Sequence, residues 1–115
     1  RSEIQVVCQA MDNSARPGFS QIAKRAKDAG LPFFCFDSSG IKEGATLALG
    51  RDYYYSGVEA AEVAVKILRG ALPAEIPISN TSTELLVFNQ ELIKKYGIVL
   101  SEEDLKKAQK QAGLK

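Results

Sequence analysis

The stretch Val6-Val7-Cys8-Gln9-Ala10-Met11 is apolar almost throughout and then breaks into a carboxylate and an amide, Asp12-Asn13. After a helical interval the chain repeats the pattern, with Pro32-Phe33-Phe34-Cys35-Phe36 running into Asp37-Ser38-Ser39-Gly40. Buried parallel strands read this way when they deliver polar side chains to the rim of a sheet. In open α/β sheets that rim, at the carboxyl ends of the strands, is where ligands bind. Two such rims side by side point to a small-molecule site rather than a purely structural sheet.

The rest of the pattern alternates strand and helix. Residues 4–11 read as the first strand. A helix follows from about Ala15 to Ala29, with Phe19, Ile22, Ala23 and Ala26 on one face, Pro17 in its first turn and Gly30 as its stop. Residues 32–37 form a second strand, so apolar that cover on both faces is expected. A third short strand spans 44–49 and leads into Asp52-Tyr53-Tyr54-Tyr55. The second long helix is expected from near Gly57 to Gly70, with Val58, Ala61, Val65 and Leu68 turned inward as core. Residues 73–77 read as linker or edge, and Leu85–Phe88 as a fourth strand. Asn89 caps a short helix through Tyr96 that Gly97 closes, and Ser101 with Asp104 forms a shortened capping box for a polar tail helix through Ala112. The fold class implied is α/β, a βαβ-type parallel sheet flanked by helices with right-handed crossovers.

Composition narrows what such a sheet can do. At 115 residues, 45% hydrophobic and 25% charged, the chain is sized for one modest domain or a piece of one. It has no initiator Met and reaches its first strand within a few residues, as a processed or trimmed segment would. A net charge of +1, with no basic and aromatic cluster, argues against a nucleic-acid partner. No apolar run approaches the roughly 20 residues of a membrane-spanning helix. There is no His, which removes Ser-His and Cys-His pairs and the commonest metal ligand and general base. Cys8 and Cys35 stand singly, without a Cys-x-x-Cys pair or clustered acids, so no metal and no cofactor is expected. Both read as small buried hydrophobes, with a disulfide between them left open for an exported protein whose two strands are neighbours. Gly40, Gly44 and Gly50 lack the spacing of a phosphate loop and suit tight turns.

The candidate site residues each carry two readings. Asp12 and Asn13 suit a polar ligand held by directed hydrogen bonds, or one of them caps the following helix. Asp37 and Ser38 likewise either meet a ligand or build an Asx turn. The three tyrosines either stack on a ligand or pack beneath the helix with one ring facing water. The matching placement of the two polar sets at two rims favours binding.

Taken in order, Met11-Asp12-Asn13, Leu31 to Asp37, Gly44 to Gly50, Asp52 to Gly57, Ile67-Leu68-Arg69-Gly70, Ile76-Pro77-Ile78 and Tyr96-Gly97-Ile98 resemble the carboxy-terminal half of ABC-transporter substrate-binding proteins. More narrowly, they resemble the type I periplasmic-binding fold group that includes tryptophan and tyrosine binders. The resemblance covers nearly the whole chain. It implies a two-lobed protein with its ligand in the interlobe cleft, of which residues 1–115 would be an incomplete fragment contributing strands to both lobes. It also implies that Asp12, Asn13 and Asp37 face the cleft, with the ammonium of an amino-acid ligand on one of the carboxylates.

The function expected is therefore that of the solute-binding component of an importer, closing on a small ligand without catalysis. That ligand is an amino acid, with aromatic ones preferred by the resemblance. The partners implied are the solute and an ABC permease, and the location extracytoplasmic, periplasmic or lipid-anchored. An isolated piece spanning two lobes would expose sheet edges and form a homo-oligomer or a domain-swapped dimer. The alternative is the effector-binding domain of a lactose-repressor-like regulator, which shares the fold. An enzyme on a Rossmann-like sheet is the weakest reading, for want of His and of a phosphate loop.

Overall fold

A computed structural model describes residues 3–79 and 84–112. Its elements are β1 (Val7–Gln9), α1 (Phe19–Asp28), β2 (Phe33–Cys35), β3 (Leu47–Arg51), α2 (Tyr53–Leu68), β4 (Glu84–Phe88), α3 (Gln90–Tyr96) and α4 (Glu102–Ala112). Single 3-10 segments occupy Arg16–Gly18, Ser38–Glu43 and Pro73–Glu75. Two compact units result, one carrying most of the sheet with α1, α3 and α4, the other centred on α2.

The strands lie in the order β1-β2-β3-β4, with β1 parallel to β2 and β2 parallel to β3. Register places Val7 beside Phe33, Gln9 beside Cys35, and Cys35 beside Ala48. Because successive side chains alternate across a strand, these residues share one face. On that face α1 supplies Phe19, Ala23 and Ala26, which close a core with Phe33, Cys35, Ala45 and Ala48. The rings of Phe19 and Phe33 meet with centroids 5.0 Å apart and tilted by 52°, a favoured aromatic geometry. Gly40 lies so close to this contact that a Cβ there would stand 2.6 Å from both the Cys35 sulfur and the Phe19 ring. Thr46, almost wholly buried, accepts from the Phe33 N–H through Oγ1 at 3.2 Å, and its own N–H donates to the Phe33 carbonyl at 2.7 Å.

Several expectations are corrected. The first helix starts at Phe19, because Arg16 to Gly18 form a 3-10 turn that absorbs Pro17. The third strand begins at Leu47, because the 3-10 segment after β2 runs to Glu43 and ends on Gly44 in the left-handed region (φ 105°). Cys8 is exposed, and both cysteines are free. The pleat explains why: Cys8 pairs with Phe34 while Cys35 pairs with Gln9, so the two sulfurs project from opposite faces of adjacent strands. Phe34 is only half-buried, so cover on both faces of β2 holds for one face alone.

The largest correction concerns α2. Asp52 caps it, its Oδ1 accepting from Tyr54 N at 3.0 Å and Tyr55 N at 3.2 Å, so the helix starts at Tyr53 rather than near Gly57. Tyr53 and Tyr54 are exposed on its first turn and Tyr55 is half-buried. The apolar stripe is not core: Val58, Ala61, Val65 and Leu68 are all exposed, Leu68 by 85%. Periodicity marks a face able to be buried without supplying what buries it. Among the described residues of this unit, one helix and one 3-10 turn are too little to cover the stripe. The carboxy-terminal expectations fare better. Asn89 Oδ1 accepts from Glu91 N and Leu92 N, Gly97 closes α3 at φ 64°, and the Ser101 hydroxyl both accepts from Asp104 N and donates to its carboxylate.

Two substitutions test the core. Gly40→Ala forces Phe19 or β2 to move and should lower unfolding stability by about 1–3 kcal/mol, the range for overpacking. Thr46→Val keeps the shape but strands the buried Phe33 N–H, and should lose about 1–3 kcal/mol in urea denaturation.

Candidate functional site

β1 and β2 are parallel neighbours, so the segments leaving their carboxyl ends emerge side by side. Past β1 the chain tightens at Asp12. The Asp12 Oδ1 accepts from Ser14 N at 2.6 Å, while its carbonyl accepts from Ala15 N and Arg16 N at 3.2 and 3.0 Å. Past β2, Asp37 caps the 3-10 segment, its Oδ1 accepting from Ser39 N at 2.9 Å and Ser39 Oγ at 2.8 Å. Both turns open onto one cavity of about 210 Å³, bordered by Asp12, Asn13 and Asp37 together with Gln9, Arg16 and Phe36. Three of the four expected site residues thus share a cavity. Ser38, the first residue of the 3-10 segment, is half-buried and is not part of that lining.

The capping readings of Asp12 and Asp37 are therefore realised. A carboxylate offers about four acceptor positions, and the turn bonds use one oxygen of each.

Arg16 is the side chain that sequence reasoning missed. It rises from the 3-10 turn after β1 and reaches across to the segment after β2. Its Nη2 donates to Glu43 Oε1 at 2.5 Å and to Ser39 Oγ at 3.2 Å, and its Nε stands 3.6 Å from Asp37 Oδ2. Its guanidinium carbon lies 4.9 Å from the centre of the Phe19 ring, within cation–π range. Glu43 is held in turn by the Ser20 hydroxyl at 3.1 Å. Several charges joined in a network hold geometry better than a lone surface pair does. The one sequence signal was a basic residue three positions after Asn13, between two acidic rims. Glu43 gave none, being 27 residues from Arg16 along the chain.

Electrostatics follow from these bonds. The Ser14 N–H holds the Asp12 carboxyl below its usual value, and the Ser14 hydroxyl and Ala15 N–H act the same way. The hydrogen bond to Glu43 raises the Arg16 guanidinium above its already high value, so it is a permanent cation. Burial pushes the Cys35 thiol up, as expected of an inert core cysteine. Among the described residues no group of three His, Cys, Asp or Glu side chains is placed to hold a metal, and no helix is long and apolar enough to cross a membrane.

A parallel α/β sheet with a polar cavity at the carboxyl ends of its strands is the arrangement with which open α/β folds bind small ligands. Residues 1–112 match the ABC transporter substrate binding protein family, and the chain belongs to that family. It is 24% identical over 92 residues to a tyrosine-binding protein of Clostridioides difficile (strain R20291), spanning 80% of this chain and 27% of that protein. In fold it is similar to the ligand-free, open structure of a Clostridium difficile substrate binding protein with adhesive properties, with a TM-score of 0.73, 24% identity, and 88% and 34% of the two chains covered. It is also similar to an ABC domain from Streptococcus pneumonia in complex with L-Trp, with a TM-score of 0.65, 24% identity, and 92% and 36% covered. The chain thus spans about a third or less of the length of these proteins. The family is one of substrate-binding proteins, not of enzymes.

Because the folded state favours the charged form of Asp12, this carboxylate stabilises the turn above the ordinary value of 3.8 and loses that contribution as pH falls through its lowered folded value. A carbon-detected NMR titration should place the Asp12 midpoint below 3.8, and Ser14→Ala, which removes the hydroxyl, should move it upward. A midpoint at or above 3.8 contradicts the turn described here.

Proposed function

We propose that this chain provides one wall of the solute site in the binding component of an ABC importer, with Asp12, Asn13 and Asp37 as the ligand-facing side chains, and Ser38, which lies outside the cavity lining, set aside. The observation that carries this reading is the single cavity into which two adjacent strand ends deliver Asp12, Asn13 and Asp37. Its position is where open α/β sheets bind ligands, and its lining mixes apolar surface with a few directed polar groups. The solute is a small amino acid-like molecule, and aromatic amino acids are the preferred class. Support comes from the relatives, one described as binding tyrosine and one solved with L-Trp.

The mechanism is binding and closure without catalysis. The chain contributes to both lobes of a two-lobed protein, in keeping with its two compact units. Hinge closure over the solute then reports occupancy to a permease in the membrane. The location is extracytoplasmic, in the periplasm or held at the outer face of the cell membrane by a lipid anchor.

A thermal-shift screen of the complete gene product against amino acids, sugars, nucleosides and peptides tests the reading. A ligand bound only by the folded state adds about 2.7 kcal/mol of stability at a hundredfold excess over Kd. Tyrosine, tryptophan or phenylalanine should raise Tm, and Asp12→Ala or Asp37→Ala should remove the rise. A rise with sugars or nucleosides alone would refute the amino-acid class.

A further inference from the structure

We propose that Arg16 sets the ligand specificity of this cavity, its Nη1 donating to a carboxylate of the ligand while Asp12 receives the ligand's cationic group. The proposal rests on the solute-binding reading above and assigns chemistry to each side of the site.

Two buried polar atoms carry it. Arg16 Nη1 and Gln9 Oε1 are both shut off from solvent and have no hydrogen-bond partner, and both residues border the cavity. A buried donor or acceptor left unpaired is costly enough that native chains seldom keep one without a use. Here an unpaired donor and an unpaired acceptor belong to two residues that border the same cavity. A ligand that presents an acceptor to Arg16 and an N–H to Gln9 satisfies both.

The rest of the guanidinium is already committed. Nη2 serves Glu43 and Ser39, Nε lies against Asp37, and the plane rests near the Phe19 ring. These contacts fix the direction of the remaining donor before any ligand arrives, and preorganisation of this kind turns a hydrogen bond into specificity.

The same contacts divide the two carboxylates. Asp37 faces Arg16 and also accepts twice from Ser39. Asp12 has no basic partner among the described residues and accepts only from its own turn. Asp12 is thus the carboxylate left to receive an ammonium. At about 210 Å³ the cavity is below the ~300 Å³ lower bound of drug-sized ligand pockets. It suits the charged head of an amino acid, leaving the side chain to other surfaces.

Calorimetric titration of the complete gene product with three probes separates the claims: L-tyrosine, tyramine, which lacks the carboxylate, and desaminotyrosine, which lacks the ammonium. The wild type should prefer L-tyrosine to tyramine by roughly ten- to a hundredfold, the scale of a hydrogen bond to a charged group. Arg16→Gln should erase that preference by weakening tyrosine and desaminotyrosine while leaving tyramine unchanged. Arg16→Lys, which keeps the charge without the planar fork, should restore part of it. Asp12→Asn should weaken tyrosine and tyramine but not desaminotyrosine.

Equal weakening of tyrosine and tyramine by Arg16→Gln would reduce Arg16 to a scaffold residue and overturn the proposal. If circular dichroism shows that variant unfolded, the wild-type preference and Arg16→Lys decide, and a wild type indifferent to the carboxylate overturns it. Tyrosine binding that ignores Arg16 leaves the amino-acid solute reading standing and the Arg16 assignment refuted. Equal, Arg16-dependent binding of tyrosine and desaminotyrosine does the reverse. No binding of any carboxylate probe refutes both.

Discussion

The fold turns on Phe33. It is almost fully buried, it pairs with Val7 on one side, and its N–H and carbonyl are both engaged by Thr46 on the other. Above it the Phe19 ring fixes where α1 lies. These contacts lock β2 between its neighbours and seat α1 on one face, and the position of the cavity follows. Phe19 stands at the first residue of α1, three positions after Arg16. Seating its ring therefore also sets the turn from which Arg16 reaches across to Asp37 and Glu43. The close approach at Gly40 brings the segment after β2 down onto the same ring. Core and site are thus mechanically one object, with apolar packing placing the polar atoms.

Buried strands also explain why carboxylates stand at these two strand ends. A strand buried in a sheet must shed its backbone polarity at its end, and an Asx turn or an N-cap does this with a short carboxylate. Asp12 and Asp37 satisfy the turns with one oxygen each. Local folding therefore orients both carboxylates while leaving one oxygen of each outside the turn bonds. Arg16 adds the one permanent positive charge among the residues bordering this cavity.

The two compact units differ in how complete they are. The unit around the sheet encloses a core cluster with an aromatic pair at its centre. The unit around α2 has well-formed local structure, with Asp52 as its cap, yet buries none of the helix's side chains. That contrast matches a chain spanning about a third of the solved proteins it resembles. A helix can satisfy its backbone alone, whereas burial of its apolar stripe needs a second surface.

The sequence by itself determined what depends on near neighbours along the chain. The alternation of apolar runs and helical stripes specified an α/β parallel sheet. The inward face Phe19, Ala23 and Ala26 was legible from spacing, as were the Asn89 and Gly97 ends of α3 and the capping pair Ser101 and Asp104, because each is settled within one helical turn. Asp12, Asn13 and Asp37 were legible as rim residues for the same reason. Only the tertiary structure decided that they share one cavity and that Ser38 lies outside its lining. It alone exposed Cys8 on the face opposite Cys35, left the stripe of α2 bare and brought Arg16 to Glu43. Those outcomes rest on register, on the pleat and on which surfaces meet across long stretches of chain, and no local pattern encodes any of the three.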